Sequence, residues 1–184
     1  MATFRTSQPG SAVDPSLPHL ILVGLPGAGK TTVGKLVARK LERSFLDFDQ
    51  EITRRQGMTV TEIFAMRGEH HFRDLERALT EEVATLGNMV LSPGGGWVTH
   101  PEVVGLLRPP STMIYLSVPP ALAIKRMGAK TAGRPLLQRP DPRGELERLL
   151  AARRAVYETA DHVVNVERLD PQRVADRICA LITG

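Results

Sequence analysis

The sequence of 184 residues is short of several residue types, and each shortage excludes a class of protein. It has one cysteine, so it cannot build a disulfide framework of its own. It has no apolar run long enough to span a bilayer, and its first residues lack the order of a signal peptide. Its five histidines show no metal-ligand spacing, so we expect no zinc site. These absences predict a cytoplasmic protein that does not contact membranes.

Aromatic residues are also scarce: five phenylalanines, two tyrosines and one tryptophan. The formal net charge of +4 is compatible with nucleic-acid binding. The arginines, however, are spread along the chain, and few rings are available to stack on bases. Because guanidinium groups also bind phosphates and carboxylates, we expect anionic small molecules as partners and no nucleic acid. Nothing in the sequence demands more than a monomer.

What the sequence does contain is a phosphate-binding loop. Residues 24–31 fit the pattern G-x-x-x-x-G-K-[ST] between an apolar run at 20–23 and an amphipathic helix. Glycines let backbone N–H groups wrap a phosphate, and the helix directs its positive end at the same group. Lys30 supplies a cation for the β- and γ-phosphates, and the Thr31 hydroxyl can ligate Mg²⁺. The sequence therefore predicts binding of a nucleoside triphosphate. The expected contact residues are Gly27, Ala28, Gly29, Lys30, Thr31 and Thr32.

Two acidic residues close the second predicted strand, residues 44–49. Since side chains alternate along a strand, Asp47 and Asp49 would point to the same side, at the edge where open parallel sheets bind ligands. Two carboxylates there can hold Mg²⁺ through water and orient or deprotonate an attacking hydroxyl. The alternative is a helix cap with an exposed acid beside it. Downstream of a phosphate loop, we favour the functional interpretation.

Two further features concern a second ligand. Three consecutive glycines, Gly94–Gly96, follow the apolar run 89–92, and close approach of the backbone to a ligand explains them better than a plain turn does. Arg73 and Glu76 lie three residues apart on a predicted helix. Their spacing alone favours a solvent-exposed ion pair, and the alternative is an arginine aimed at a substrate carboxylate.

Strands and helices alternate five times, which predicts one α/β domain with a five-stranded parallel sheet and helices on both faces. The predicted strands are 20–23, 44–49, 89–92, 112–117 and 162–166. Residues 1–18 are expected to be a flexible leader to a domain at 19–184. Residues 128–144 predict an active-site lid with Arg134 meeting the phosphates on closure, or else an ordinary surface loop.

Six motifs together resemble shikimate kinases in order and spacing, over nearly the whole chain beyond residue 18. They are GLPGAGKTT at 24–32, FLDFD at 45–49, Phe72-Arg73 with Glu76, GGG at 94–96, GRPLL at 133–137 and RRAVY at 153–157. The resemblance implies the P-loop fold of nucleoside monophosphate kinases, with a mobile lid. It also implies transfer of the γ-phosphate of ATP to the 3-hydroxyl of shikimate, on the route to chorismate and aromatic amino acids.

Roles for the acceptor side follow from the same resemblance. Arg73 and Arg153 would bind the shikimate carboxylate, together with the N–H groups of Gly95 and Gly96. Glu76 would position the two arginines. The alternatives are a kinase of another small hydroxy acid such as gluconate, a regulatory nucleotide-binding protein without catalysis, and a nucleic-acid-binding ATPase.

Roles on the phosphoryl-transfer side are implied as well. Asp49 would hold and deprotonate the attacking hydroxyl, while Asp47 would support Mg²⁺ beside Thr31. Lys30 would assist catalysis, and Arg134 would close from the lid and stabilise charge on the transferring phosphate. The adenine would lie between Arg126 and Pro171.

Two residues beside the triple glycine depart from the family pattern. Pro93 stands where a small or aliphatic residue is common, and its missing N–H alters local bonding. Trp97 stands where a smaller residue is common. A bulky ring there is expected either to change acceptor choice or to pack against the lid.

Overall fold

Five short strands alternate with helices along residues 17–128 and 140–184, the part of the chain that the computed structural model describes. The strands are β1 (Leu20–Val23), β2 (Ser44–Asp47), β3 (Met89–Ser92), β4 (Thr112–Ser117) and β5 (His162–Asn165). The helices are α1 (Lys30–Lys40), α2 (Phe48–Gln56), α3 (Val60–Ala84), α4 (Pro101–Val104), α5 (Pro120–Met127), α6 (Pro142–Tyr157) and α7 (Pro171–Thr183). A 3₁₀ turn at Trp97–Thr99 precedes α4.

The strands form one parallel sheet in the order β2-β3-β1-β4-β5, which confirms the predicted sheet. Ile21 of β1 pairs with Leu91 of β3 on one side and with Met113 of β4 on the other. Asp47, the last residue of β2, pairs with Ser92, the last residue of β3. The carboxyl ends of neighbouring strands therefore meet at one edge, which is where open parallel sheets bind ligands.

Alternating side chains of the strands feed two separate apolar cores. Leu20 and Leu22 of β1 belong to a core that is completed by α1, α5, α7 and the start of α6. Ile21 and Val23 belong to a second core, completed by α2, α3, the 3₁₀ turn and α4. Because all four side chains are almost fully buried, the sheet is covered on both faces, as predicted.

The second strand is shorter than predicted. It ends at Asp47, and Asp49 lies in the first turn of α2. The carboxylate of Asp47 accepts the backbone N–H of Gln50 at 3.2 Å and so caps α2. Phe48 is buried in the first helical turn, beside Asp49. The inference that Asp47 and Asp49 share one side of a strand is therefore wrong, since an N-cap aspartate ends the strand two residues earlier.

Helix α3 consists of two segments joined at a kink. It begins with a capping box in which Thr59 and Glu62 bond each other's backbone N–H groups. At Gly68 the backbone leaves the helical region, with φ 82° and ψ 169°. The second segment of α3 therefore takes its own direction and carries Arg73 and Glu76 toward the sheet edge.

The predicted leader and lid lie mainly outside the described residues. Residues 1–16 and 129–139, Arg134 among them, are not described. The carbonyl of Leu17 accepts the N–H of Asn88, and that of Pro18 accepts the Arg43 guanidinium, both at 2.9 Å. Helix α6 begins at Pro142, inside the range predicted as lid. Among the described residues, none of the helices is long and apolar enough to cross a membrane.

Candidate active site

The loop between β1 and α1 has a backbone that only glycine adopts easily. The φ angles of Gly24, Gly27 and Gly29 are 148°, 84° and 97°, and all three are positive. A Cβ on Gly27 would also collide with the backbone carbonyl of Ala123. Gly29 caps α1 without a side-chain hydrogen bond, so the first N–H groups of the helix face the loop. The loop therefore has the form of an anion cradle.

Three side chains stand at the mouth of this cradle. Lys30 Nζ donates to the carbonyls of Gly24 and Leu25, at 2.9 and 3.3 Å, which holds the ammonium over the loop. Thr31 Oγ1 donates to Asp47 Oδ2 at 2.6 Å. Asp47 thus serves as a helix cap through one oxygen and contacts the phosphate loop through the other, so its structural role is compatible with the predicted Mg²⁺ role.

The Thr31–Asp47 pair offers oxygen ligands of the kind that Mg²⁺ prefers. Within residues 17–128 and 140–184, no group of three or more His, Cys, Asp or Glu side chains is arranged to hold a metal ion. Mg²⁺ usually binds through one or two protein oxygens and takes its other ligands from phosphates and water. The residues present therefore fit a magnesium ion that arrives with a nucleotide.

A cleft of 180 Å³ adjoins the phosphate loop. The side chain of Arg126 crosses it and donates to the Val166 carbonyl at 2.5 Å, which fixes the guanidinium. The cleft is lined by Ala28, Gly29, Val33, Arg126, Val166, Leu169, Pro171 and Val174. The structure thus places Arg126 and Pro171 in the lining of one cleft beside the phosphate loop, and the adenine position between them that the resemblance implied stays a prediction.

Arg73 and Glu76 form a buried pair and not the solvent-exposed pair that their spacing favoured. The side chain of Glu76 is 2% exposed and accepts Arg73 Nη1. Arg73 Nη2 also donates to Glu69 at 2.8 Å, and its guanidinium lies 5.6 Å from the centroid of the Phe72 ring. The spacing could not reveal this burial, because it depends on the packing of α3 against the glycine loop.

Burial, together with the neighbouring Asp49 carboxylate, raises the pKa of Glu76 to about 7. The positive charges of Arg73 and Arg153 act in the opposite direction. A carboxyl group in such surroundings changes charge near neutral pH, which is typical of functional sites.

The triple glycine is the meeting point of the predicted acceptor residues. A Cβ on Gly94 would lie 2.8 Å from Asp49 Oδ1 and would also contact the Glu76 carboxylate. Cβ atoms in real proteins do not come that close to oxygen. Gly94 is therefore required by the protein's own carboxylates, Asp49 and Glu76.

The next two glycines face the two arginines. A Cβ on Gly95 would lie 3.1 Å from Arg153 Nη1, and one on Gly96 would overlap the Arg73 guanidinium. The sequence predicted close approach of a ligand to these glycines, and in the structure the protein's own side chains approach them. The two guanidinium groups consequently lie along one short stretch of backbone, next to Asp49.

Buried polar atoms without partners concentrate at this place. Among the described residues, three such side-chain atoms occur: Arg73 Nε, Glu76 Oε1 and the hydroxyl oxygen of Tyr157. A buried polar atom without a hydrogen bond is costly, and in native proteins it usually has a functional reason. Two of the three belong to the Arg73–Glu76 pair, so this pair carries polar atoms that a water molecule or a polar ligand can satisfy.

Trp97 is a core residue. Its side chain is fully buried, and its indole N–H donates to Thr80 Oγ1 of α3 at 3.0 Å. The 3₁₀ turn directs the ring inward beneath the glycine loop, where it joins the second core together with Phe72. Trp97 also lines a cleft of 260 Å³ with Arg73 and Glu76, so its ring packs in the core directly beside the candidate acceptor residues.

Two residues of this region were given no role in the sequence analysis. Glu69 is the second carboxylate on Arg73, and its position four residues earlier on a helix was the available signal. Tyr157 closes the RRAVY motif four residues after Arg153, the same signal for a shared helix face. Arg134 is outside the described residues. The structure brings the other predicted acceptor residues together.

Comparisons with known proteins point to one family. The family model described as shikimate kinase matches residues 26–183. The chain is 38% identical over 163 residues to a shikimate kinase of Caldicellulosiruptor bescii, covering 89% of this chain and 94% of the relative. It resembles the structure of a shikimate kinase from Acinetobacter baumannii in complex with shikimate, with a TM-score of 0.85, 37% identity, and coverage of 91% and 94%.

A more distant likeness bears on the alternative acceptor. A gluconokinase structure from Sinorhizobium meliloti matches with a TM-score of 0.55 and 16% identity, over 90% of this chain and 95% of that chain. At that identity the likeness shows a shared fold and nothing about the substrate.

Proposed function

Since the chain belongs to the shikimate kinase family, we propose that it transfers the γ-phosphate of ATP to the 3-hydroxyl of shikimate. The products are ADP and shikimate 3-phosphate. The observation that carries the proposal is the convergence of Arg73, Arg153 and Asp49 on Gly94–Gly96 at the mouth of the phosphate loop.

The nucleotide binds along the carboxyl end of β1. Residues 27–32 wrap the phosphates with backbone N–H groups, and the Lys30 ammonium neutralises charge on the β- and γ-phosphates. The adenine lies in the cleft between Arg126 and Pro171, next to the loop. The fixed position of the Arg126 guanidinium supports this placement, because a flat cation stacks well on a base.

Thr31 and Asp47 hold Mg²⁺ in this proposal. Their hydrogen bond places two oxygen ligands side by side at the phosphate loop. When bound, the ion offsets negative charge on the phosphate oxygens. Asp47 is kept in place by its second task as the cap of α2.

The acceptor binds on the other side of Gly94–Gly96. The guanidinium groups of Arg73 and Arg153 bind the shikimate carboxylate, and the N–H groups of Gly95 and Gly96 complete the pocket. Arg73 enters this role already oriented, because Glu76 and Glu69 fix it from behind. An arginine oriented before binding loses less entropy when the carboxylate arrives.

Asp49 acts on the reacting hydroxyl. Its carboxylate accepts the proton, a bond forms between the hydroxyl oxygen and the γ-phosphorus, and the bond from that phosphorus to the bridging oxygen of ADP breaks. Arg134 stabilises charge on the transferring group in this proposal. Its place in the GRPLL motif at 133–137 supports this role. Glu76 positions the two arginines.

The finer settings of this activity are also proposals. We propose that the enzyme works as a cytoplasmic monomer, without nucleic acid or membrane. The spread of its arginines and its low aromatic content support this. Sedimentation of the purified chain with and without DNA would test both the monomer and the lack of a nucleic-acid partner.

The experiment that tests the function is Mg²⁺-dependent release of ADP from ATP with shikimate, with gluconate, or with no acceptor. Stimulation by shikimate alone is expected. Stimulation by gluconate would keep the kinase and overturn the acceptor. Tight ATP binding without turnover on either acceptor would favour a regulatory protein. Phosphate on the 3-hydroxyl is checked by NMR of the product.

A further inference from the structure

Helix α6 presents one arginine to the candidate site and turns its neighbour away. Arg153 Nη1 lies where it would contact a Cβ on Gly95, at 3.1 Å. Arg154 follows directly, so it points about 100° away around the helix. It lines a separate cleft of 370 Å³ with Ser117 and Asn165. Of these two arginines of α6, Arg153 is therefore the one that must be held toward the glycine loop.

Tyr157 lies one helical turn beyond Arg153 and is held rigidly. It is 1% exposed, and its ring stacks on Tyr115 with a centroid distance of 4.6 Å and an angle of 11° between the planes. Tyr115 belongs to β4, where it pairs with Val23 of the central strand β1. A ring fixed in this way can hold the side chain that lies four residues earlier on the same helix face.

The hydroxyl group of Tyr157 is the third of the buried polar atoms without a partner among the described residues. Burial raises the pKa of this hydroxyl, and the charge and N–H groups of Arg153 oppose that effect. The hydroxyl oxygen can accept an N–H, and the guanidinium beside it has five to donate. The Tyr157 hydroxyl and the Arg153 guanidinium thus stand next to each other as acceptor and donor.

The two arginines of the site are supported differently. Arg73 is paired with the carboxylates of Glu76 and Glu69, which fix it but also offset its charge. Tyr157 is neutral, so a hydrogen bond to it fixes Arg153 without adding a second carboxylate to the Glu76 charge that already acts on this arginine. A guanidinium whose charge is less offset binds an incoming carboxylate more strongly.

We propose that Tyr157 is a positioning residue for the acceptor: its hydroxyl accepts an N–H of Arg153 and holds the guanidinium over Gly95, where it can bind the substrate carboxylate. This inference rests on the proposed role of Arg153 in binding shikimate. Tyr157 does not touch the reacting atoms, so its loss weakens acceptor binding more than the chemical step.

The test uses Tyr157→Phe and, as a matched control, Tyr115→Phe, because these two residues are the only tyrosines of the chain. Both variants keep the stacked rings and lose one hydroxyl. We expect Tyr157→Phe to weaken shikimate binding about tenfold in calorimetry and to raise KM for shikimate equally. The KM for ATP, kcat and the melting temperature should stay close to those of the parent enzyme, and Tyr115→Phe should match the parent throughout.

A double-mutant cycle with Arg153→Ala separates positioning from general damage. If Tyr157 acts through Arg153, Tyr157→Phe has no further effect on shikimate affinity once Arg153 is gone. An equal loss in both backgrounds, an equal loss in the two tyrosine variants, or unchanged affinity in Tyr157→Phe would overturn the inference and leave the kinase activity standing. If the parent enzyme does not bind shikimate, the proposed function and this inference fail together.

Discussion

Asp49 and Glu76 reach the same point from two different helices: both carboxylates lie against the position where Gly94 has no side chain. Asp49 stands in the first turn of α2, and Glu76 stands on the second segment of α3. Each raises the local negative charge for the other, and the arginines on either side limit that effect. The acceptor pocket is therefore a tight array in which a single methyl group has consequences.

Gly94→Ala should fold and lose activity. The new methyl group meets the ends of two side chains and not the backbone, so these carboxylates can move aside. Displacing a catalytic group by about 1 Å can cost about 100-fold in rate, and we expect a loss of kcat on that scale with little change in ATP affinity. Gly95→Ala, which crowds Arg153, should instead raise KM for shikimate. Full activity of Gly94→Ala would contradict the geometry.

Asp49→Asn should remove the base and keep the nucleotide site. Loss of a positioned base typically lowers turnover by about 10²- to 10⁴-fold. The control is Asp176→Asn, an exposed aspartate of α7 that pairs with Lys40 away from the site. Single-turnover kinetics with shikimate would measure the chemical step, and titration with ATP would measure nucleotide affinity. Unchanged turnover would exclude Asp49 as the base.

Thr80→Val should destabilise the protein without altering its substrate preference. Thr80 is fully buried and accepts the indole N–H of Trp97. Removing that acceptor leaves a buried donor without a partner, at a cost of about 1–3 kcal/mol in the free energy of unfolding. Thr85→Val, which removes an exposed hydroxyl bonded to the Glu82 carbonyl, is the control. Denaturant titration measures the loss, and a large change in KM for shikimate would place Trp97 in the pocket after all.

Glu76→Gln should change how stability depends on pH. In the folded protein the pKa of Glu76 is about 7 against an ordinary value of 4.5, so the folded state binds this proton more tightly than the unfolded state does. The contribution of Glu76 to stability is therefore largest at low pH and falls as pH rises from about 4.5 to about 7.

Relative to Glu76→Gln, the parent enzyme should lose up to about 3 kcal/mol of unfolding free energy between pH 5 and pH 8. Urea titrations at several pH values measure this difference. Glu69→Gln removes an exposed carboxylate from the same arginine and should leave the pH dependence as it is in the parent. Parallel pH profiles of the parent enzyme and Glu76→Gln would show that Glu76 does not take up the proton.

The features that local sequence specifies were predicted well. The phosphate loop combines an apolar strand, glycines at fixed positions and a helix start, and all of these lie within about a dozen residues, so β1 and α1 follow from the pattern. Asp47 shows the limit of local inference, because an aspartate at the end of a strand and an aspartate at the start of a helix look alike in sequence.

The features that depend on distant contacts could not be predicted. Whether Arg73 and Glu76 are exposed depends on where the loop at Gly94–Gly96 packs, and the spacing of two residues on a helix carries no information about that. Tyr157 gains its importance from Tyr115, on a different element. In both cases the family resemblance supplied the role of the arginine, and the structure supplied the neighbours that hold it.

The two cores on opposite faces of the sheet support different parts of the site. The nucleotide cleft rests on the core that contains Val33 and Val174, while the acceptor arginines rest on the core that contains Phe72 and Tyr157. Substitutions at distant positions act almost independently. Evolution can therefore change the acceptor through substitutions on one face of the sheet, while the ATP site on the other face is preserved.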